Sequence, residues 1–277
     1  MPLPNEKPLD RDDQALLELG GGLKGRMSSA FCVLQSAVDA IELSLQNEAP
    51  AALRRQLAPV LTDMAKNIAY LSRLSANAAD MALARTGAPL TELSPLDLND
   101  CLRTLARCAQ EEFAARKIPA TLAWAENAGD SVWVMGDVGL IDGLFANLIS
   151  NAVRAGTAGR SLHLACGPGR EAHFWDDGPG MDAKTLRVCL LEGQPTPESL
   201  RSGSLGLLLV HEYAAKLGWQ LDAATSAQGT RIDFRLPPFE IPADLSPYLH
   251  ASGRHTRQDL QRSHLRRELD GTLGTAR

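Results

Sequence analysis

Apolar residues recur in steps of three and four along the first 85 positions, the spacing of one face of a long helix. A first helix is predicted over residues 12–46. After the turn at 47–50, a second helix runs to about Arg85. Each helix carries an apolar seam like that of a coiled coil. The first seam is Leu23, Met27, Ala30, Leu34, Ala37 and Ile41; the second is Leu57, Val60, Met64, Ile68, Leu71, Leu74, Ala78 and Met81.

Two amphipathic helices joined by a short turn predict an antiparallel hairpin domain over residues 12–86. A lone hairpin has no means of burying both seams completely. A symmetric homodimer, in which two hairpins form a four-helix bundle, is therefore the expected assembly.

The pattern changes after a linker at 87–95. Helices are predicted over 99–116, 138–155 and 205–217. Strands are expected near 119–125, 131–136, 161–166 and 171–176, with a closing hairpin of 219–224 and 230–236 and a loop-rich stretch over 178–203. This order predicts an α/β sandwich domain over 96–238 and an α+β fold for the chain. Residues 239–277 are expected to form a tail, either a short helix or a disordered arm. A solvated segment is favoured over a dedicated binding element.

Composition excludes some functions. A net charge of −5 over 277 residues argues against nucleic acid as the main partner. No apolar run reaches the ~20 residues of a membrane helix, and the N-terminus lacks the apolar core of a signal peptide, so a cytoplasmic protein is expected. The odd number of cysteines, none in a C-x-x-C pair, predicts buried thiols, with Cys101 and Cys108 on one helix face.

Three motifs in the second domain point to chemistry. Residues 147–154 read NLISNAVR, residues 176–180 read DDGPG, and residues 203–207 read GSLGL. The two asparagines lie four residues apart and share a helix face. An aspartate at a strand end offers an acceptor, and the following glycines let the backbone turn sharply. A glycine at the start of a helix leaves N–H groups available to an anion.

In this order, the motifs resemble the N, G1 and G2 boxes of the histidine-kinase ATP-binding fold, shared by sensor kinases, gyrase and Hsp90. The resemblance is strong over 96–236 and weak over the hairpin. It implies ATP and Mg²⁺ as cofactors. Asp176 would bind the exocyclic amine of adenine, Gly178 and Gly180 would let the backbone approach the base, and Thr230 matches a hydroxyl near the adenine.

The resemblance also assigns the phosphate side of the site. The amide oxygen of Asn151 would be a Mg²⁺ ligand, and Asn147 would help to hold the phosphates. Arg154 would contact a terminal phosphate. Gly206 and Leu207 would place helix N–H groups near an anion.

The chain departs from the family in several places. Ser202 and Ser204 replace glycines of the second box, and the lid over 181–202 lacks the usual aromatic motif. Alignment of the hairpin places Gly21 at the phosphoacceptor histidine and Gly22 at its acidic neighbour. The hydrolytic branch of the family has a glutamate where Asn147 stands. All six histidines (163, 173, 211, 250, 255 and 264) lie outside the hairpin.

Three functions remain open. The first is a cytosolic two-component signalling protein that binds Mg-ATP without phosphorylating itself, as a pseudokinase or regulatory dimer. Its partner would be a response regulator or another sensor kinase, docked on a surface that includes Lys24, Arg26, Ser28 and Ser29. The second is an active kinase that uses a non-histidine acceptor or a partner protein. The third is a structural dimer with a relic nucleotide pocket.

Overall fold

The computed structural model describes residues 11–85, 93–125, 131–155, 160–167, 169–196, 205–239 and 254–270. The chain divides into two compact units, residues 1–90 and residues 91–277. Gly203 and the serines at 202 and 204, predicted to matter in the second box, lie outside the described residues. None of the described helices combines the length and the hydropathy that crossing a bilayer would need.

The first unit is a helical hairpin. Helix α1 spans Arg11–Glu48 and α2 spans Ala51–Arg85, so both helices lie where the periodicity predicts them, and Gly21 lies within α1. Val38 of α1 and Leu61 of α2 are buried apolar residues of the hairpin. Ser75 Oγ lies 3.2 Å from the sulfur of Met27, which pairs the first half of α1 with the second half of α2, as an antiparallel hairpin requires.

The predicted seams divide into two stripes. Leu57 and Ile68 are half-buried within the hairpin, whereas Val38 and Leu61, which the seam prediction omitted, are buried. Other seam residues remain open because one partner helix covers only one stripe. The exposed members of the apolar stripe on the hairpin are Leu34, Ile41, Leu53, Val60, Met64 and Leu71, which are 41–52% exposed.

The second unit is a mixed α/β structure whose elements match the predicted order. They are β1 (Ser94–Asp97), α3 (Leu98–Arg116), β2 (Ala120–Ala125), β3 (Trp133–Gly136), α4 (Val138–Arg154), β4 (Arg160–Gly167), β5 (Glu171–Asp176), α5 (Ala183–Thr185), a π-helix (Leu186–Leu191), α6 (Gly206–Lys216), β6 (Gln220–Ser226), β7 (Gly229–Arg235) and α7 (Arg254–Asp270).

The described strands form a main sheet in the order β2-β4-β5-β7-β6, in which only β2 and β4 run parallel. The alternate residues of its strands point towards the helices and build the core around Phe113, Phe145, Phe174 and Phe234. Phe145 of α4 meets Phe234 of β7 edge to face at 5.4 Å between ring centroids. The predicted α+β fold, with a helical N-terminal region followed by an α/β sandwich, is confirmed.

Two predictions about the irregular stretches are wrong. Residues 94 and 95, the end of the predicted linker, instead begin β1, which pairs with β3 in a separate two-stranded sheet. Residues 183–191 of the predicted loop are helical. In both places a short element is specified by packing against its neighbours, since segments of four to six residues carry little periodicity of their own.

Residues 254–270 form a helix, which was one of the two predicted alternatives for the tail. The expectation that this segment is solvated is wrong. Helix α7 packs on the outer faces of α3 and α4. Its residues Gln261, Leu265 and Leu269 are completely buried. Gln261 Nε2 donates to the carbonyl oxygen of Cys101 at 3.1 Å and to Asp142 Oδ1 at 3.0 Å. The core of the second unit therefore continues beyond residue 238.

Candidate nucleotide-binding site

Helix α4 presents the two motif asparagines to the start of α6. Asn147 is 1% exposed, and its Nδ2 donates to the carbonyl of Gly143 one turn earlier at 2.8 Å. Its Oδ1 faces Gly206, where an added Cβ would lie only 2.8 Å away; the same Cβ would lie 3.5 Å from Asn151 Oδ1. The N box and the second glycine box therefore meet, and the contact leaves room only for glycine.

Arg154 lies over the predicted metal ligand. Its guanidinium donates to Asn151 Oδ1 at 2.5 Å and, through Nε, to the carbonyl of Ser150 at 3.3 Å. The amide oxygen predicted to bind Mg²⁺ thus already accepts from a cationic group. An incoming Mg²⁺ would have to displace the guanidinium, and a terminal phosphate would offer that guanidinium a new partner.

The start of α6 has the character of an anion site. Its N-cap residue, Leu205, has a side chain that cannot accept from the first-turn N–H groups, so within the described residues these N–H groups receive no capping bond from the N-cap side chain. Leu207 is 6% exposed with its side chain in the core, so it can contribute only a backbone N–H to a ligand. Backbone N–H groups and the helix dipole together favour a phosphate here.

Asp176 lies at the end of β5, and its side chain is 9% exposed. Its Oδ1 accepts from the backbone N–H of Gly178 at 2.7 Å and lies 3.7 Å from NH1 of Arg160. Burial raises the pKa of Asp176 above its ordinary value, while the Gly178 N–H, the Arg160 charge and the Thr230 N–H oppose the rise. The carboxylate is thus a desolvated acceptor held in a set orientation.

The glycines after Asp176 lie where other residues would clash. Gly180 has a φ of 71°, and an added Cβ would lie 2.1 Å from the carbonyl oxygen of Ser226. The hairpin of β6 and β7 packs on the turn from the other side. Thr230 is 4% exposed, with its Oγ1 3.4 Å from that of Thr225, which also accepts from the Met181 N–H at 2.9 Å. The backbone N–H of Thr230 also donates to Asp176, so Thr230 lies beside that carboxylate.

The described part of the lid, residues 181–196, packs against α6. The π-helix over 186–191 packs against α6, and Nδ1 of His211 lies 2.8 Å from the carbonyl oxygen of Leu190. The His211 ring also fills the space beside Gly193, where an added Cβ would lie 2.5 Å from it. His211 therefore packs against the lid. Cys189 is completely buried in the same segment.

The structure brings the predicted residues together as two groups. One group is Asn147, Asn151, Arg154 and Gly206; the other is Asp176, Gly178, Gly180 and Thr230. Sequence reasoning missed Arg160, Thr225 and Gly229, which support the second group. Gly229 precedes Thr230 and has a φ of 131°, a conformation that residues other than glycine rarely adopt. The glycine itself was therefore a sequence signal for this position. Arg160 had no such signal.

The comparisons with known proteins agree with this geometry. Residues 136–240 match the family model described as histidine kinase-, DNA gyrase B-, and HSP90-like ATPase. The signal transduction histidine-protein kinase BaeS of Escherichia coli (strain K12) is 24% identical over 238 residues, which is 83% of this chain and 48% of BaeS. The chain therefore spans about half the length of this curated relative.

A solved structure shares the fold. Full-length ShkA, crystallised in complex with AMPPNP, superposes with a TM-score of 0.51 at 19% identity, covering 80% of this chain and 45% of ShkA. The Acinetobacter baumannii histidine kinase AdeS has a TM-score of 0.47 at 15% identity, with 73% of this chain and 93% of AdeS covered. The match to the histidine kinase-, DNA gyrase B- and HSP90-like ATPase model indicates that residues 136–240 form a histidine-kinase-like catalytic core.

Proposed function

We propose that this protein is a cytosolic, dimeric two-component signalling protein that binds Mg-ATP but does not phosphorylate itself. The observation that carries the proposal is the contact of Gly206 with the amides of Asn147 and Asn151. This contact leaves the N-terminus of α6 facing the two side chains that the family resemblance assigns to phosphate and Mg²⁺. A response regulator or another sensor kinase is the proposed partner.

The residues present fit Mg-ATP. Asp176 supplies a buried acceptor for the amine of adenine, and the start of α6 supplies N–H donors for phosphate oxygens. Asn151 supplies the hard oxygen that Mg²⁺ prefers, once Arg154 turns to a phosphate. When bound, ATP would supply a transferable phosphoryl group. The chain's own residues would orient it.

The positions that the family resemblance assigns to the groups that receive or activate that phosphoryl group hold other residues in this chain. Glycines stand at positions 21 and 22 of α1, where the alignment expects the histidine and its acidic neighbour. A glutamate acting as general base has no counterpart either, because Asn147 is an amide already bonded to Gly143. These substitutions favour a regulatory role over autophosphorylation.

Labelled ATP and calorimetry test the proposal together. We expect a non-hydrolysable ATP analogue with Mg²⁺ to bind in the micromolar range, and incubation with labelled ATP to leave the protein unlabelled. Acid-stable label on Ser28 or Ser29, both exposed, would replace the proposal with an active kinase. No binding at millimolar analogue would leave a structural dimer with a relic pocket.

The apolar stripe on the hairpin supports a homodimer. Leu53, Val60, Met64 and Leu71 follow one another at intervals of seven, four and seven, the repeat of a coiled-coil seam. Four exposed apolar side chains in one row favour burial against the same row of a second copy, since symmetric association is the commonest way to cover such a face.

Leu34→Lys is expected to convert the dimer into a monomer at micromolar concentration. The substitution puts a charge into the stripe beside Ile41, and burying an unpaired ammonium costs more than the lost contacts. Light scattering measures the mass. Leu43→Lys is the matched control, because Leu43 is 60% exposed and lies on the opposite side of α1. A monomeric wild-type protein, or a dimer for both variants, would contradict the assembly.

Gly206→Ala is expected to weaken binding of the ATP analogue by about tenfold, because the new methyl group would displace the Asn147 amide from a fully packed position. Titration calorimetry measures the affinity. Gly25→Ala is the control, since nothing lies within 4 Å of an added Cβ there. It should bind normally and, through its better helix propensity, stabilise α1 by roughly 1 kcal/mol. Equal affinities for the two variants would argue against a phosphate role for the start of α6.

A further inference from the structure

A buried arginine outside the three motifs lies beside the adenine acceptor. Arg160 begins β4 and is 7% exposed. Its NH1 lies 3.7 Å from Asp176 Oδ1, and its NH2 donates to the carbonyl of Ala155 at 3.1 Å. Among the residues that the structure describes, its Nε and NH1 have no hydrogen-bond partner although both are buried.

The packing around this guanidinium is tight on the side of the glycine turn. A Cβ on Gly178 would lie 2.1 Å from Arg160 NH1 and 2.4 Å from Asp176 Oδ1. The first glycine of the turn is therefore the residue that lets the arginine reach the aspartate. The guanidinium lies against both the backbone of the turn and the carboxylate that precedes it.

Stability alone does not account for Arg160 at this position. An ion pair buried with incomplete hydrogen bonding is generally no better for folding than an apolar pair of the same size. Buried N–H groups without acceptors add a further cost. A buried charge at this position, in spite of these costs, fits a role in the chemistry of the site, because buried charge pairs cluster at functional sites.

We propose that Arg160 is a positioning residue for base recognition, which holds the Asp176 carboxylate charged and oriented towards the amine of adenine and ties it to the end of α4. The proposal rests on the proposed function, because it names a device of the same nucleotide site. Arg160 itself need not touch the nucleotide.

The electrostatic part of this role follows from the surroundings of Asp176. A carboxylate is a stronger acceptor for an amine than a protonated carboxyl group. Burial and the neighbouring Asp177 charge raise the pKa of Asp176 and favour the weaker, protonated form. Arg160 is the cation that opposes this rise, together with the N–H groups of Gly178 and Thr230.

The mechanical part follows from the second contact of the guanidinium. Ala155 caps the C-terminus of α4, and its N–H donates to the carbonyl of Asn151 at 3.0 Å. Arg160 therefore joins the aspartate of the base side to the helix end that carries Asn151 and Arg154 on the phosphate side. Loss of the arginine would remove this link between Asp176 and the end of α4.

Arg160→Met tests the proposal through the pH dependence of binding. Removal of the cation should raise the pKa of Asp176, so binding of the ATP analogue should be lost at a higher pH as the solution is acidified. Arg160→Lys should restore part of the difference. Above the midpoint, Arg160→Met should bind about tenfold more weakly than wild type. Arg235→Met, on the exposed face of β7, is the control and should match wild type.

The double variant separates positioning from a general structural role. If Arg160 acts through Asp176, then Arg160→Met should have little further effect in an Asp176→Asn background. An equal loss in both backgrounds, or an unchanged pH midpoint, would overturn the proposal.

Carboxyl carbon NMR of the nucleotide-free protein keeps the test independent of ATP binding. The Asp176 resonance, assigned by its absence in Asp176→Asn, should titrate at a higher pH in Arg160→Met than in wild type. An unshifted titration would overturn the role of Arg160 even if ATP binds. Absent ATP binding with a shifted titration would instead count against the proposed nucleotide function alone.

Discussion

Asp176→Asn is expected to weaken binding of a non-hydrolysable ATP analogue by roughly 100-fold. The carboxylate accepts hydrogen bonds, whereas an amide can turn its NH₂ towards the adenine amine and place two donors face to face. The substitution also removes the charge that pairs with Arg160 and leaves a buried guanidinium without a counter-ion. The site cannot rearrange freely, because Asp176 Oδ1 is held by the Gly178 N–H at 2.7 Å.

The neighbouring aspartate offers a matched control. Asp177 Oδ1 accepts from the Ser161 N–H at 3.0 Å in an exposed position, so Asp177→Asn removes the same charge one residue away from the acceptor. We expect its affinity to stay within about twofold of wild type, as surface substitutions have small effects. Calorimetric titration of wild type, Asp176→Asn and Asp177→Asn measures the three affinities, and circular dichroism verifies that each protein is folded. Equal affinities for wild type and Asp176→Asn would place adenine elsewhere.

Much of the fold could be predicted because its elements are long and strongly periodic. The bounds of α3, α4, β5 and α6 lie within about two residues of those expected, since each carries a full apolar face that must be buried. The hairpin helices are longer still. Their seam, however, was predicted as one stripe, and the structure shows that the inner stripe and the exposed stripe lie side by side.

The elements that escaped prediction are those specified by distant partners. The strand β1 has four residues and exists because β3, almost 40 positions later, pairs with it. Helix α7 has a very polar sequence, and its few apolar residues gain their place only when α3 and α4 provide a surface. No local pattern reports such long-range contacts.

The same division holds within the candidate site. The motif residues are Asn147, Asn151, Asp176, Gly178 and Gly180, and the structure brings them together in two groups. Arg160 stands in no motif. A single arginine in a strand usually lies on the solvent face. Its burial beside Asp176 follows from the pairing of β4 with β5. This pairing aligns Leu162 with Asp176, the last residue of β5, and so places Arg160 just beyond the C-terminal end of β5.

Simultaneous Leu265→Ala and Leu269→Ala substitutions are expected to detach α7 from the ATP-binding core. Both leucines are completely buried, and replacing a buried leucine by alanine typically costs about 2–5 kcal/mol. Two such losses exceed what one short, polar helix gains by docking. We expect a lower midpoint of unfolding by urea and the exposure of the surface that α7 covers, including the α3 thiols that it touches.

Thiol labelling reports that exposure directly. In the wild-type protein Cys32 is exposed, whereas Cys101 and Cys108 are buried against α7, next to Gln261 and Arg262. Burial raises the pKa of the Cys108 thiol, which keeps it unreactive despite the nearby Arg262 charge. Fast labelling should therefore rise from one thiol to three in the double variant, while Cys166 and Cys189 stay protected.

A charge on the same helix provides the control. Arg266 Nε pairs with Glu112 Oε1 at 2.8 Å, but its side chain is 58% exposed, so Arg266→Ala should cost less than about 1 kcal/mol and leave labelling unchanged. If the double leucine variant also labels one thiol with an unchanged unfolding midpoint, α7 does not depend on its apolar contacts. The expected result would instead make α7 an integral layer of the core, behind the helix that carries Asn147 and Asn151. Its contact there is close, because Ser150 Oγ donates to the Glu268 carbonyl at 3.4 Å, and Ser150 immediately precedes the proposed metal ligand.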